Sequence, residues 1–124
     1  PGGRARVGLP AVTLVRIIVA LTDNAIQHSP EGGTVTVHAG VVRHTVEIRV
    51  RDEGGGIDPA DRARVFERFA RGSESGRRRG FGLGLALVRD VALRAGGSVA
   101  IESTSPAGTV MLLALPVVRG AATS

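Results

Sequence analysis

The chain of 124 residues carries 16 basic side chains against 11 acidic ones, a formal net charge of +5, and no cysteine. That length suits one domain with one modest core, and a composition 43% apolar and 22% charged excludes disorder over most of it. Disulfides and thiolate metal sites are excluded outright, which fits a reducing compartment. The longest apolar stretch, Val110 to Val118, is interrupted by Pro116 and falls well short of the roughly 18 residues that cross a bilayer. All basic residues are Arg, with one run at Arg77, Arg78 and Arg79, and there is no Tyr or Trp to stack bases. Nucleic acid is therefore not an expected partner.

In chain order, residues 1–8 read as a leader, and a start at Pro1 reads as part of a longer protein. From about Leu9 to His28 the pattern is helical, with Leu14, Ile17, Ile18, Leu21 and Ala25 in one broad stripe. Val12, Val15, Val19 and Ile26 add apolar surface elsewhere, so this helix is expected to be extensively buried. Ser29-Pro30-Glu31-Gly32-Gly33 breaks it. Two alternating strands follow, over Thr34 to Val41 and Thr45 to Asp52. In the second, period-2 parity puts Asp52 on the same side as Val46, Ile48 and Val50, and an inward acid needs a partner.

Glu53-Gly54-Gly55-Gly56-Ile57 is an obligatory turn. A short helix is expected from Pro59 to Phe69, with Asp58 at its N-cap. The Gly, Ser and Arg rich stretch from Arg71 to Gly80 has no periodicity and reads as a surface loop. A second helix is expected from about Gly82 to Ala95, ended by Gly96-Gly97. Strands over Ser98 to Ser103 and Thr109 to Val117 complete the set, and residues 119–124 form a small polar tail. The order predicts an α+β domain over residues 9–118, one mixed or antiparallel sheet with helices packed on one face.

Four segments carry chemistry. Asn24 and His28 lie one turn apart at the edge of the first helix's buried stripe, where an Asn carbonyl can serve a hard cation such as Mg²⁺. Asp52-x-Gly54-x-Gly56-Ile57 places a carboxylate at a strand end beside glycines that admit close backbone approach. Val65 to Gly72 holds Phe66 and Phe69 and, with Phe81, every aromatic residue of the chain. Gly80-Phe81-Gly82-Leu83-Gly84-Leu85-Ala86 opens a helix, where unpaired N–H groups and the dipole suit phosphate. Alone, each also has a plain structural reading as a cap, a turn, a core corner or close helix packing.

In this order and spacing, the four segments resemble the asparagine, first-glycine, phenylalanine and second-glycine boxes of bacterial sensor histidine kinases. Gly108-Thr109, leading to Leu115-Pro116, resembles the family's last Gly-Thr element. The resemblance covers about Leu9 to Pro116. It implies the Bergerat ATP-binding fold shared with gyrase B and MutL, a two-layer α/β sandwich built on a mixed sheet.

By the same resemblance, Asn24 would bind Mg²⁺ bridging the phosphates of ATP, and Asp52 would accept from the adenine amino group. His28 would lie against the adenine ring. Gly54, Gly56 and Ile57 would shape the pocket wall, and Thr109 would support the Asp52 end. Gly80, Gly82, Leu83, Gly84 and Leu85 would meet the triphosphate, Arg71 would reach the γ-phosphate, and residues 72–80 would form an ATP lid. The implied reaction is phosphoryl transfer to a histidine on a dimerisation domain absent from this chain, followed by a response regulator. The implied setting is the cytoplasmic portion of a membrane-anchored sensor, with this chain itself monomeric. Two positions depart from the family pattern, Ala20 for a usual Asn and Gln27 for a usual Lys. They open an alternative, a degenerate or split-kinase docking module that needs a separate histidine-bearing partner.

Overall fold

The computed structural model describes residues 6–62, 64–67 and 84–118. In chain order these form α1 (Ala11–His28), β1 (Thr36–Val42), β2 (Thr45–Asp52), a 3₁₀ turn (Pro59–Asp61), α2 (Gly84–Arg94), β3 (Ser98–Ser105) and β4 (Gly108–Pro116). The strands make one sheet in the order β1-β2-β4-β3. Every pairing among them is antiparallel, so of the mixed and antiparallel arrangements the antiparallel one forms among the described residues. The helices lie against each other on one face, α1 chiefly over β2 and α2 over β3 and β4.

Strand parity builds the core. The inner row of β2 (Val46, Ile48, Val50) stands beside Leu115, Leu113 and Met111 of β4 in register. Ile17, Leu21 and Ala25 of α1, with Leu85, Val88 and Ala92 of α2, close over that row. The α1 helix starts at Ala11, later than the apolar pattern suggests, because Pro10 takes the N-cap. Gly96 and Gly97 end α2 by a double return: Gly97 N–H donates to the Ala92 carbonyl and Gly96 N–H to that of Leu93, with Gly96 at φ +86°.

Two sequence expectations are corrected. Val12, Val15, Val19 and Ile26 are 64, 58, 49 and 56% exposed, not buried. The sheet covers only the α1 face that carries Ile17, Leu21 and Ala25, and these four residues project from the opposite face. The expected helix from Pro59 is a single 3₁₀ turn followed by turns through Glu67, with residues 63, 68 and 69 outside the described set. Asp58 does occupy the N-cap but makes no side-chain cap bond. Among the described residues of that stretch only Val65 reaches the apolar core fully, little burial to sustain a longer helix.

On the outer face, Arg49 of β2 reaches over β4 to Glu102 of β3, with Nε–Oε1 2.7 Å and Nη2–Oε2 2.8 Å. Glu102 sits where the β3 register slips between Ile101 and Ser103, and such an irregularity re-aims a side chain. The Arg49 guanidinium holds the Glu102 carboxyl below its ordinary value. A depressed acid contributes stability above its unfolded pKa and loses it as pH falls through the folded one. Both groups are solvent-exposed, so the effect is screened and small.

Burial decides the cost of substitution in α1. Leu21→Ala is expected to cost about 2–5 kcal/mol in urea unfolding. Val15→Lys, on the exposed stripe, stays within about 0.5 kcal/mol of the parent.

Candidate functional site

The site begins where the inner row of β2 ends. Asp52 follows Val46, Ile48 and Val50 on the same face and is only 5% exposed. A buried carboxylate demands donors, and the Gly54 N–H supplies one to Oδ1 at 2.8 Å. The tight return also explains the residue type at position 54, since a Cβ there would overlap the His28 carbonyl oxygen. The end of α1 and the loop after β2 thus meet backbone to backbone. Two more bonds tie that loop to the segment after α1. Glu53 N–H donates to Ser29 Oγ at 3.3 Å, and Thr34 N–H donates to Glu53 Oε1 at 3.1 Å.

The other wall comes from β3 and β4. Thr109 lies opposite Asp52 in the β2–β4 register and is 4% exposed. Its Oγ1 is 2.8 Å from Thr104 Oγ1, and Thr104 Oγ1 accepts from the Ile57 N–H at 3.0 Å. Gly56 has φ +87°, and a Cβ on it would stand 2.5 Å from the Ser105 carbonyl oxygen and 3.2 Å from Thr104 Oγ1. The loop from Asp52 to Ile57 is therefore clamped between the end of α1 and the β3–β4 hairpin.

The remaining described residues belong to the two helices. Asn24 is half-buried on α1, one turn before His28 and one turn after Ala20. Ala20 Cβ lies 3.8 Å from where a Cβ on Gly84 would be, so α2 begins beside that side of α1. The first N–H groups of α2 have no intrahelical acceptors, and its dipole puts partial positive charge there. The fold thus brings together a buried acceptor at Asp52 and an anion-compatible helix start at Gly84, with Asn24 and His28 on the helix between them. Leu85 is 1% exposed and packs in the core, so its side chain is structural and only its backbone N–H is left for a ligand. Arg71, Gly80, Gly82, Leu83 and the expected lid, residues 72–80, lie outside the described residues.

Among the described residues no group of three or more His, Cys, Asp or Glu side chains could hold a metal ion. No helix among them is long and apolar enough to cross a membrane. Sequence reasoning missed Thr104, because β3 was expected to end at Ser103. The signal was available: a two-residue turn at Pro106-Ala107 sets Ser105 opposite Gly108 and Thr104 opposite Thr109.

Comparison with known proteins then fixes the class. The sequence profile of histidine kinase-, DNA gyrase B-, and HSP90-like ATPases matches residues 10–119. The chain belongs to this family. It is 45% identical over 100 residues to the signal transduction histidine-protein kinase/phosphatase MprB of Mycolicibacterium vanbaalenii, an alignment covering 80% of this chain and 21% of that protein. It is 42% identical over 105 residues to the sensor-like histidine kinase SenX3 of Mycobacterium tuberculosis, covering 83% of this chain and 26% of that protein. The chain thus spans about a fifth to a quarter of the length of these relatives. A solved structure of the mycobacterial sensor histidine kinase MprB superposes with TM-score 0.78 at 35% identity, over 90% of this chain and 76% of that one.

The α+β sandwich and the ATPase domain of the sensor histidine kinases are thereby established for this chain. The glycines of the tight loop after β2 can be tested without any ligand. Gly54→Ala is expected to lose about 1–3 kcal/mol in urea unfolding, the cost of overpacking against the His28 carbonyl. Gly55→Ala, with nothing within 4 Å of the new methyl, stays within about 0.5 kcal/mol.

Proposed function

We propose that this domain binds Mg-ATP between the β2–β4 end of the sheet and the start of α2, and donates the γ-phosphoryl group to a histidine. The observation that carries this is the buried Asp52, with Oδ1 accepting from Gly54 N–H and the strand partner Thr109 alongside. In a family of ATPases, a carboxylate so placed serves as an acceptor for the amino group of adenine. One relative in the family fold, ShkA, is solved in complex with AMPPNP, with TM-score 0.74 at 29% identity, which supports a nucleotide as the ligand of this chain.

Each residue then has a distinct task. Asp52 accepts through the oxygen that Gly54 does not occupy, and Gly54, Gly56 and Ile57 form the wall beside the base. His28 lies along the ring. Backbone N–H groups at Gly80, Gly82, Leu83, Gly84 and Leu85 neutralise the triphosphate at a helix N-terminus, and Arg71 reaches the γ-phosphate. Among the described residues Asn24 is the one whose chemistry fits Mg²⁺, and its carbonyl oxygen would lend a hard ligand of the kind that ion prefers. When bound, Mg²⁺ supplies charge neutralisation at the phosphates. The chain's own groups orient the nucleotide and hold its charge, which is most of what phosphoryl transfer requires.

The acceptor histidine is proposed on a helical dimerisation domain, in the same polypeptide or on another protein, with a response regulator receiving the phosphoryl group next. The alternative docking-module reading rests on two departures from the family pattern: position 20, where an alanine methyl lies toward Gly84 in place of the usual amide side chain, and Gln27 in place of the usual Lys.

Calorimetry distinguishes the two. Saturable ATP binding is expected, strengthened by Mg²⁺ and weakened at least about tenfold by Asp52→Asn, as befits loss of a bond to a charged acceptor. An intact chain that binds no ATP would overturn the kinase reading and leave docking.

A further inference from the structure

Strand pairing explains why Thr104 and Thr109 are neighbours, but not how their hydroxyls share protons. The two oxygens are 2.8 Å apart. Each hydroxyl has one proton and two lone pairs, so one proton lies between them and the other is free to be used elsewhere. The surroundings decide which is which. Ile57 N–H, which can only donate, delivers its proton to Thr104 Oγ1 from 3.0 Å. An oxygen already accepting a hydrogen bond is polarised to donate in turn. Thr109, for its part, is 4% exposed and stands beside Asp52 across the β2–β4 ladder.

We infer that Thr104 is a positioning residue for purine selectivity: pinned by the Ile57 N–H, it donates to Thr109 and so directs the Thr109 proton into the pocket beside Asp52. This rests on the reading of Asp52 as the contact for the base. The pocket then presents an acceptor, Asp52, next to a donor, Thr109. Adenine offers the matching order, a donating amino group next to the accepting N1. Guanine offers the reverse, an accepting O6 next to a donating N1–H, and leaves buried groups unpaired at both positions. Thr104 touches no part of the nucleotide in this arrangement. Its influence passes through one proton, and the Gly56 turn keeps the loop close enough for Ile57 to hold it, with Thr104 Oγ1 only 3.2 Å from where a Gly56 Cβ would be.

The test measures binding of ATP and of its 1-deaza analogue, in which CH replaces N1, to the unmodified chain, Thr104→Val and Thr104→Ser. Valine keeps the β-branched shape that suits a strand and removes only the hydroxyl. Thr104→Ser restores the hydroxyl and serves as the rescue. The expected result is a loss of about fivefold in ATP affinity for Thr104→Val, the worth of one neutral hydrogen bond. Its affinity for the analogue stays within about twofold of the parent, and Thr104→Ser stays within about twofold for both ligands. Equal losses for the two nucleotides in Thr104→Val would overturn the proton relay and leave Thr104 a brace for the loop, as would no loss for either. Failure of the unmodified chain to bind ATP would overturn the nucleotide reading itself, and it shows before any substitution is made.

Discussion

A carboxylate at the end of an apolar row has to be met by donors, because water is not there to do it. Asp52 is only 5% exposed, and the chain around it is arranged to meet that demand. The nearest donor is the backbone two residues on, which requires the strand to turn back sharply. The turn in turn requires a residue at 54 that lets the loop press on the last carbonyl of α1. From that contact the rest of the site follows. The loop is held against the β3–β4 hairpin through Ile57 and Thr104, and Thr109 is brought to the carboxylate by simple strand register. The stability cost of one buried acid and the chemical use proposed for it are two aspects of one arrangement.

The helices serve the other end. Small residues at Ala20 and Gly84 bring α1 and α2 close where α2 begins. This places the start of α2 on the side of α1 that carries Asn24. In the proposed reading the acceptor on the sheet selects the base and the helix start neutralises the phosphates, a division of labour suited to a nucleotide. The domain occupies only part of the length of its kinase relatives.

Much of this was legible in the residues. Parity alone put Asp52 on the inner face, and β2 runs over Thr45–Asp52 as the alternation indicates. The spacing of the four boxes pointed to the family that the comparison bears out. What escaped was decided by tertiary placement. Apolar content at Val12, Val15, Val19 and Ile26 suggested burial, yet a helix resting on one sheet face can hide only one stripe. Nothing in a hydrophobic pattern says that its opposite stripe will find no cover. The stretch after Pro59 has the N-terminal signals of a helix, yet of its described residues only Val65 reaches the apolar core fully. Thr104 escaped because a one-residue error at a strand end hides a cross-strand pair, and strand ends are where pattern reading is least exact.

In the proposed function the nucleotide sits at the β2–β4 end of the sheet and not on its outer face. The most direct measurement is a titration of the ¹⁵N-labelled chain with Mg²⁺ and a non-hydrolysable ATP analogue, followed amide by amide. Saturable shifts are predicted at Gly54, Gly56, Ile57, Thr109 and Gly84, with Arg49, Glu102 and Leu112 on the outer face unmoved. Shifts centred on the outer face, or a loop from Gly54 to Ile57 that does not respond while others do, would contradict it.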